Sequence, residues 1–135
     1  MKKKLLNSLM VLTILLAVSC SKKDEVDQRN QFVATYQVVD SWTVGGTFKT
    51  YSYSMIITNS AQDPKVILLS NFGGESGVIV SAEVNGNKFT IQQQTVQTYG
   101  YSGSGTISGS TLSFSYLISA SGGGIVNVSS AGTKM

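Results

Sequence analysis

The sequence predicts an all-β domain, an antiparallel eight-stranded up-and-down barrel, with a two-sheet β-sandwich as the alternative. Three observations lead there. Glycine is absent from the first 44 residues and then occurs 14 times. Short runs of alternating apolar and polar residues recur from Gln31 to Met135, separated by Gly, Ser, Asn and Asp, which is the period-two signature of strands. That region has one Pro and no sustained helical period, so short turns must join strands that neighbour one another in sequence.

Eight segments carry this pattern, at about 32–42, 49–58, 65–72, 77–84, 87–96, 101–108, 111–119 and 124–130. In the second, Tyr51, Tyr53, Met55 and Ile57 alternate with Thr50, Ser52, Ser54 and Ile56, giving one dry face and one mostly polar face. The fourth and fifth flank Asn85-Gly86, a strong two-residue hairpin signal. A turn there pairs Val84 with Asn87 and predicts Glu83 opposite Lys88 and Ser81 opposite Thr90 outside, with Ala82 opposite Phe89 and Val80 opposite Ile91 inside. After the fifth, Tyr99-Gly100-Tyr101 reads as a loop. The sixth and seventh flank Gly109-Ser110, which sets Ile107 opposite Leu112 and gathers Leu112, Phe114, Tyr116 and Ile118 on one face. Joining eighth to first would remove both exposed sheet edges.

The N-terminal residues are of another kind. Lys2, Lys3 and Lys4 precede a stretch from Leu5 to Ala17 that, at 13 residues, is too short to span a bilayer, so 1–19 reads as a signal peptide. Leu15-Leu16-Ala17-Val18-Ser19-Cys20 resembles the lipobox of bacterial lipoproteins, with Ala17 in the third place before the cysteine. The resemblance implies cleavage before Cys20, lipidation of that residue and attachment to a membrane through the lipid anchor. Diacylglycerol plus an N-acyl chain exceeds the two signals that stable anchoring needs. Residues 20–30 are highly charged and hold Val26 as their one aliphatic side chain, which predicts a disordered tether before a domain at 31–135. Lys23-Asp24-Glu25 shortly after Cys20 resembles the export signals of Bacteroidota lipoproteins, which implies the outer membrane and its outer face.

The body adds a second resemblance. Phe32-Val33-Ala34-Thr35-Tyr36, Ile67-Leu68-Leu69-Ser70-Asn71-Phe72-Gly73-Gly74, Val84-Asn85-Gly86-Asn87-Lys88-Phe89-Thr90-Ile91 and the run from Gly103 to Leu112 are similar to small Bacteroidota lipoproteins with a lipocalin-like or calycin-like β domain. Trp42 is preceded two places earlier by Asp40, so the Gly-x-Trp of true lipocalins is absent.

Composition narrows the chemistry. With no His and one Cys, Ser-His and Cys-His catalysis, an internal disulfide and a multi-cysteine metal site are all excluded. The formal net charge is +3, but removing the three leader lysines from ten basic residues leaves seven against seven acidic ones, so nothing points to nucleic acid. Gly103-Ser104-Gly105-Thr106-Ile107-Ser108-Gly109 is followed by a strand rather than the helix a dinucleotide loop requires. The acids of the body are Asp40, Asp63, Glu75 and Glu83, with no Asp-rich calcium loop, so neither an enzyme nor a cofactor or metal is expected. What remains is aromatic: Tyr36, Trp42, Tyr53 and Tyr116 combine apolar rings with polar tips and are the candidate ligand-binding residues. The expectation is a lipid-anchored outer-membrane protein that holds a small apolar or amphipathic ligand in its barrel. The alternative is a structural or interaction protein that recognises a protein or glycan through its exterior.

Overall fold

A computed structural model describes residues 25–135. Eight strands follow in order: β1 (Ala34–Val44), β2 (Thr47–Asn59), β3 (Val66–Ser70), β4 (Ile79–Asn85), β5 (Lys88–Val96), β6 (Tyr99–Ser108), β7 (Thr111–Ala120) and β8 (Ile125–Lys134). Each pairs antiparallel with the next, and β8 returns to β1 from Tyr36↔Lys134 to Ser41↔Ser129, closing an up-and-down barrel. Every strand therefore has two neighbours, which rules out the sandwich, and the architecture matches a lipocalin-like barrel. The segments expected to be a signal peptide (1–19) and, up to Asp24, a tether, with Cys20 between them, lie outside the described residues.

Alternation places the side chains. On β1, Tyr36, Val38 and Asp40 are buried while Gln37 and Val39 face out; on β7, Leu112, Phe114 and Tyr116 are buried while Thr111, Ser113 and Ser115 face out. The β6–β7 hairpin has the expected register, with Ile107 opposite Leu112.

The β4–β5 hairpin does not. Its pairs are Asn85↔Lys88, Val84↔Phe89 and Glu83↔Thr90, so the turn is Gly86-Asn87 and Glu83 does not face Lys88. Gly86 has φ +62 and Asn87 is not among the positive-φ residues, which fits a glycine-first turn rather than one needing two left-handed residues. The slip is two residues, so the inward set is unchanged. Tertiary contacts hold the observed turn: the Gly86 N–H donates to Gln28 Oε1 (2.8 Å), Gln31 Nε2 donates to the Gly86 carbonyl (2.6 Å), and the Ile107 N–H donates to the Asn87 carbonyl (2.9 Å). Tyr99-Gly100-Tyr101 is likewise strand rather than loop, and Tyr101 is buried.

The two ends of the barrel differ. At one, a 3-10 turn at Gln28–Gln31, N-capped by Asp27, folds under the strands and delivers the fully buried Phe32, which meets Phe89 edge-on at 5.8 Å. Arg29 forms an ion pair with Asp27 (2.7 Å) and donates from Nη1 to the carbonyls of Ser60 (2.9 Å), Asp63 (2.9 Å) and Val66 (3.2 Å). The expected tether to Asn30 is thus too long. From Asp27 onward the chain is docked, because one guanidinium supplies donors for carbonyls that the β2–β3 connection presents. The far end, or mouth, carries the β1–β2 and β5–β6 turns, the β7–β8 loop and a second 3-10 turn at Phe72–Gly74.

Rings fill the space between. Phe89 and Phe114 lie 6.0 Å apart, Phe114 and Tyr116 6.1 Å, and Phe72 drops in from the mouth to lie 4.6 Å from Tyr116 and 5.6 Å from Tyr101. They fit because β6 offers no side chain opposite two of them: Gly103 pairs with Tyr116 and Gly105 with Phe114. A methyl group at Gly105 would stand 2.5 Å from Phe114 Cβ and from Phe89 Cζ. Small residues facing large ones let an eight-stranded interior fill with side chains.

Candidate ligand cleft at the mouth of the barrel

Asp40 is an acid in an aromatic interior, 2 % exposed. It lies there because β1 alternates, with Tyr36, Val38 and Asp40 on the inward parity. Its neighbours across the ladders are Tyr51 on β2 and Ser130 on β8. Three hydroxyls converge on its carboxylate from three strands. Tyr53 (3.2 Å) and Ser130 (2.5 Å) donate to Oδ1, and Tyr116 (2.7 Å) donates to Oδ2. Burial pushes the Asp40 carboxyl above its ordinary range, and hydrogen bonds from Ser130, Tyr116 and Tyr53 oppose that rise. Burial first, and then the charge of Asp40, push both tyrosine hydroxyls upward.

Above this cluster opens a cleft of about 200 Å³, walled by Asp40, Trp42, Tyr51 and Tyr116 with the aliphatic Ile118 and Val126. Trp42 is half-buried, and Tyr51 is exposed at its edge with its ring stacked 5.8 Å from Tyr53. The 3-10 turn at Phe72–Gly74 covers one side: Gly73 backs onto the Tyr116 hydroxyl, and Gly74 packs against the ring of Tyr51 so closely that a methyl group there would collide with it. Val44, Phe48 and Ile125 are exposed beside a separate concavity near the β1–β2 turn, with Phe48 and Ile125 on the outward face of their strands. The volume of the cleft is below the about 300–1,000 Å³ of drug-sized pockets, so any ligand held there is small.

Of the four residues predicted to bind a ligand, the structure brings three to this end. Trp42 and Tyr116 line the cleft, and Tyr53 supports it through Asp40. Tyr36 is placed elsewhere: it is fully buried toward the closed end, and its hydroxyl donates to the Phe32 carbonyl (2.8 Å). It braces Phe32, so the four do not enclose a common void. Cys20, the predicted lipidation site, lies outside the described residues.

Sequence reasoning missed Asp40 and Ser130 as a pair. The available signal was parity: Asp40 continues Tyr36 and Val38, and Ser130 stands between Val128 and Gly132 on the inward face of β8. Nothing local shows that they meet, because 90 residues separate them. Of the other body acids, Asp63 accepts the Lys65 N–H within the β2–β3 connection (2.9 Å) and Glu83 lies on the outer wall. Among the described residues no group of three or more metal-ligating side chains comes together.

A second concavity, of about 580 Å³, lies on the outer wall, where Lys88, Thr90, Ser104, Thr106, Ser113 and Ser115 form a polar groove across β5, β6 and β7. No protein-family model matches the chain, and neither does any curated protein.

Proposed function

We propose that this is a non-enzymatic binding module, tethered to the bacterial outer membrane by lipid on Cys20, that takes a small amphipathic ligand at the mouth of its barrel. The observation that carries this reading is Asp40, buried with three hydroxyls at the floor of a cleft walled by aromatic rings. A few convergent polar groups in an apolar concavity are the usual makeup of a small-molecule site. Aromatic side chains occupy the deeper interior, so the ligand belongs at the mouth rather than along the barrel axis.

The fold supports the anchoring geometry. The N-terminal segment docks at the closed end, so a lipid on Cys20 would leave the mouth directed away from the membrane. Trp42 is the one tryptophan of the chain and stands in the cleft wall, which makes its fluorescence a local reporter. Titrating the full chain with small amphipathic compounds should give a saturable change in that emission and a matching adduct in native mass spectrometry. Adducts that leave Trp42 emission untouched would refute the site.

The polar outer groove favours a second reading, recognition of a glycan or a protein by the exterior. Its signature is binding that survives Trp42→Leu and is lost on Ser113→Lys.

A further inference from the structure

Accepting the mouth as a ligand cleft, we infer that its ligand is a small organic cation, an ammonium group carrying an alkyl or aryl body. The starting point is Asp40, whose burial raises its carboxyl and makes the ionised form costly unless a cation arrives. Three hydroxyl groups donate to that carboxyl, yet hydroxyl dipoles do not cancel a full charge. The ion pair found among the described residues is Arg29–Asp27, at the opposite end of the barrel. Lys49, which pairs with Trp42 across β1 and β2, is exposed and forms no ion pair with Asp40. A buried carboxylate without a cation is costly, and a ligand that brings one lowers that cost.

The hydrogen-bond inventory agrees. A carboxylate offers about four lone-pair sites, and three are taken. The unfilled site belongs to a group that lines the cleft, so an incoming N–H has an acceptor. An anionic ligand would set like charge beside Asp40, and a neutral one would leave the charge as it is.

The walls point the same way. Trp42, Tyr51 and Tyr116 bring aromatic rings to the same cleft as the carboxylate, and ring faces attract cations. Ile118, Val126 and Val128 suit the ligand's apolar body. A carboxylate floor under aromatic and aliphatic walls is complementary to an amphipathic cation and to neither a fatty acid nor a phosphate.

Three probes of one shape separate the possibilities: n-hexylammonium, n-hexanol and n-hexanoate, each titrated into the full chain near neutral pH with Trp42 emission and native mass spectrometry as readouts. The expected result is saturable binding of the ammonium at least about tenfold tighter than the alcohol, with the carboxylate weaker still. Asp40→Asn, checked for an intact fold by circular dichroism, should erase the ammonium's advantage while keeping alcohol binding. Equal affinity for ammonium and alcohol in the wild-type protein would overturn the cation inference and leave the cleft standing. Saturable binding of none of the three would overturn the inference together with the cleft reading. The wild-type comparison decides the matter even where Asp40→Asn does not fold.

Discussion

The hydroxyl of Tyr116 on β7 reaches past β8 to donate to the carboxylate of Asp40 on β1, 2.7 Å away and 76 residues distant in the chain. With Ser130 bonded to the same carboxylate from β8, the contact ties together three strands that include the closing β8–β1 seam. Asp40 is thus both the floor of the cleft and part of what keeps the barrel shut.

That double role makes Asp40→Ala destabilising. It would strand three buried hydroxyl donors, and we expect a loss of about 2–4 kcal/mol in urea denaturation. Asp40→Asn keeps one acceptor oxygen and should cost less. Because the Asp40 carboxyl is raised, the folded state holds its proton more tightly than the unfolded chain. Its contribution is therefore complete below the ordinary 3.8 and is lost as pH rises through the raised value. The stability gap between wild type and Asp40→Asn should accordingly be wider at pH 3 than at pH 7; a gap that widens with pH would contradict the burial of this carboxyl.

Alkaline pH tests the buried tyrosines. Burial pushes Tyr36 up to about 12 and raises Tyr53, Tyr101 and Tyr116 as well. For a group with a raised folded value, stability is fully present below the unfolded value, about 10 for tyrosine, and falls as pH climbs through the folded one. Tyrosinate absorbance should therefore show these four ionising together with loss of the near-ultraviolet circular dichroism. Reversible ionisation of all four in the folded barrel would show that they are not buried.

The inward glycines of β6 make a steric prediction. An alanine methyl at Gly103 would run into the Ser115 carbonyl and the Tyr116 backbone, neither of which can rotate away. Gly103→Ala should cost about 1–3 kcal/mol, the usual range for overpacking. Gly124→Ala has open space around its new methyl and an ordinary backbone, so it serves as the neutral control. Thermal melts of the two variants should separate by several degrees.

Glu83 provides the opposite case. It faces Thr90 rather than Lys88 and is exposed. Glu83→Lys should change stability by no more than about 0.5 kcal/mol, as surface substitutions do. A larger destabilisation, rescued by Lys88→Glu, would restore the register that the Asn-Gly turn predicts.

The same hairpin shows where local sequence stops being decisive. Asn85-Gly86-Asn87 offers two adjacent two-residue turns, and both leave Val80, Ala82, Val84, Phe89 and Ile91 facing inward. Periodicity cannot separate them, since a two-residue slip returns every side chain to its face. The choice is made by Gln28, Gln31 and Ile107, which bond Gly86 and Asn87 from segments far along the chain.

By itself, the sequence determined the strands, their two faces and their order around the barrel, because alternation and tight turns act between near neighbours. It also marked Trp42, Tyr53 and Tyr116 as inward aromatics. Only the tertiary structure decided that Tyr36 braces Phe32 at the closed end, that the glycines of β6 make room for Phe114 and Tyr116, and that Asp40 meets Tyr53, Tyr116 and Ser130. Those contacts depend on closure, which brings β8 against β1. Closure is a long-range pairing, and no local period encodes which side chains it will bring together.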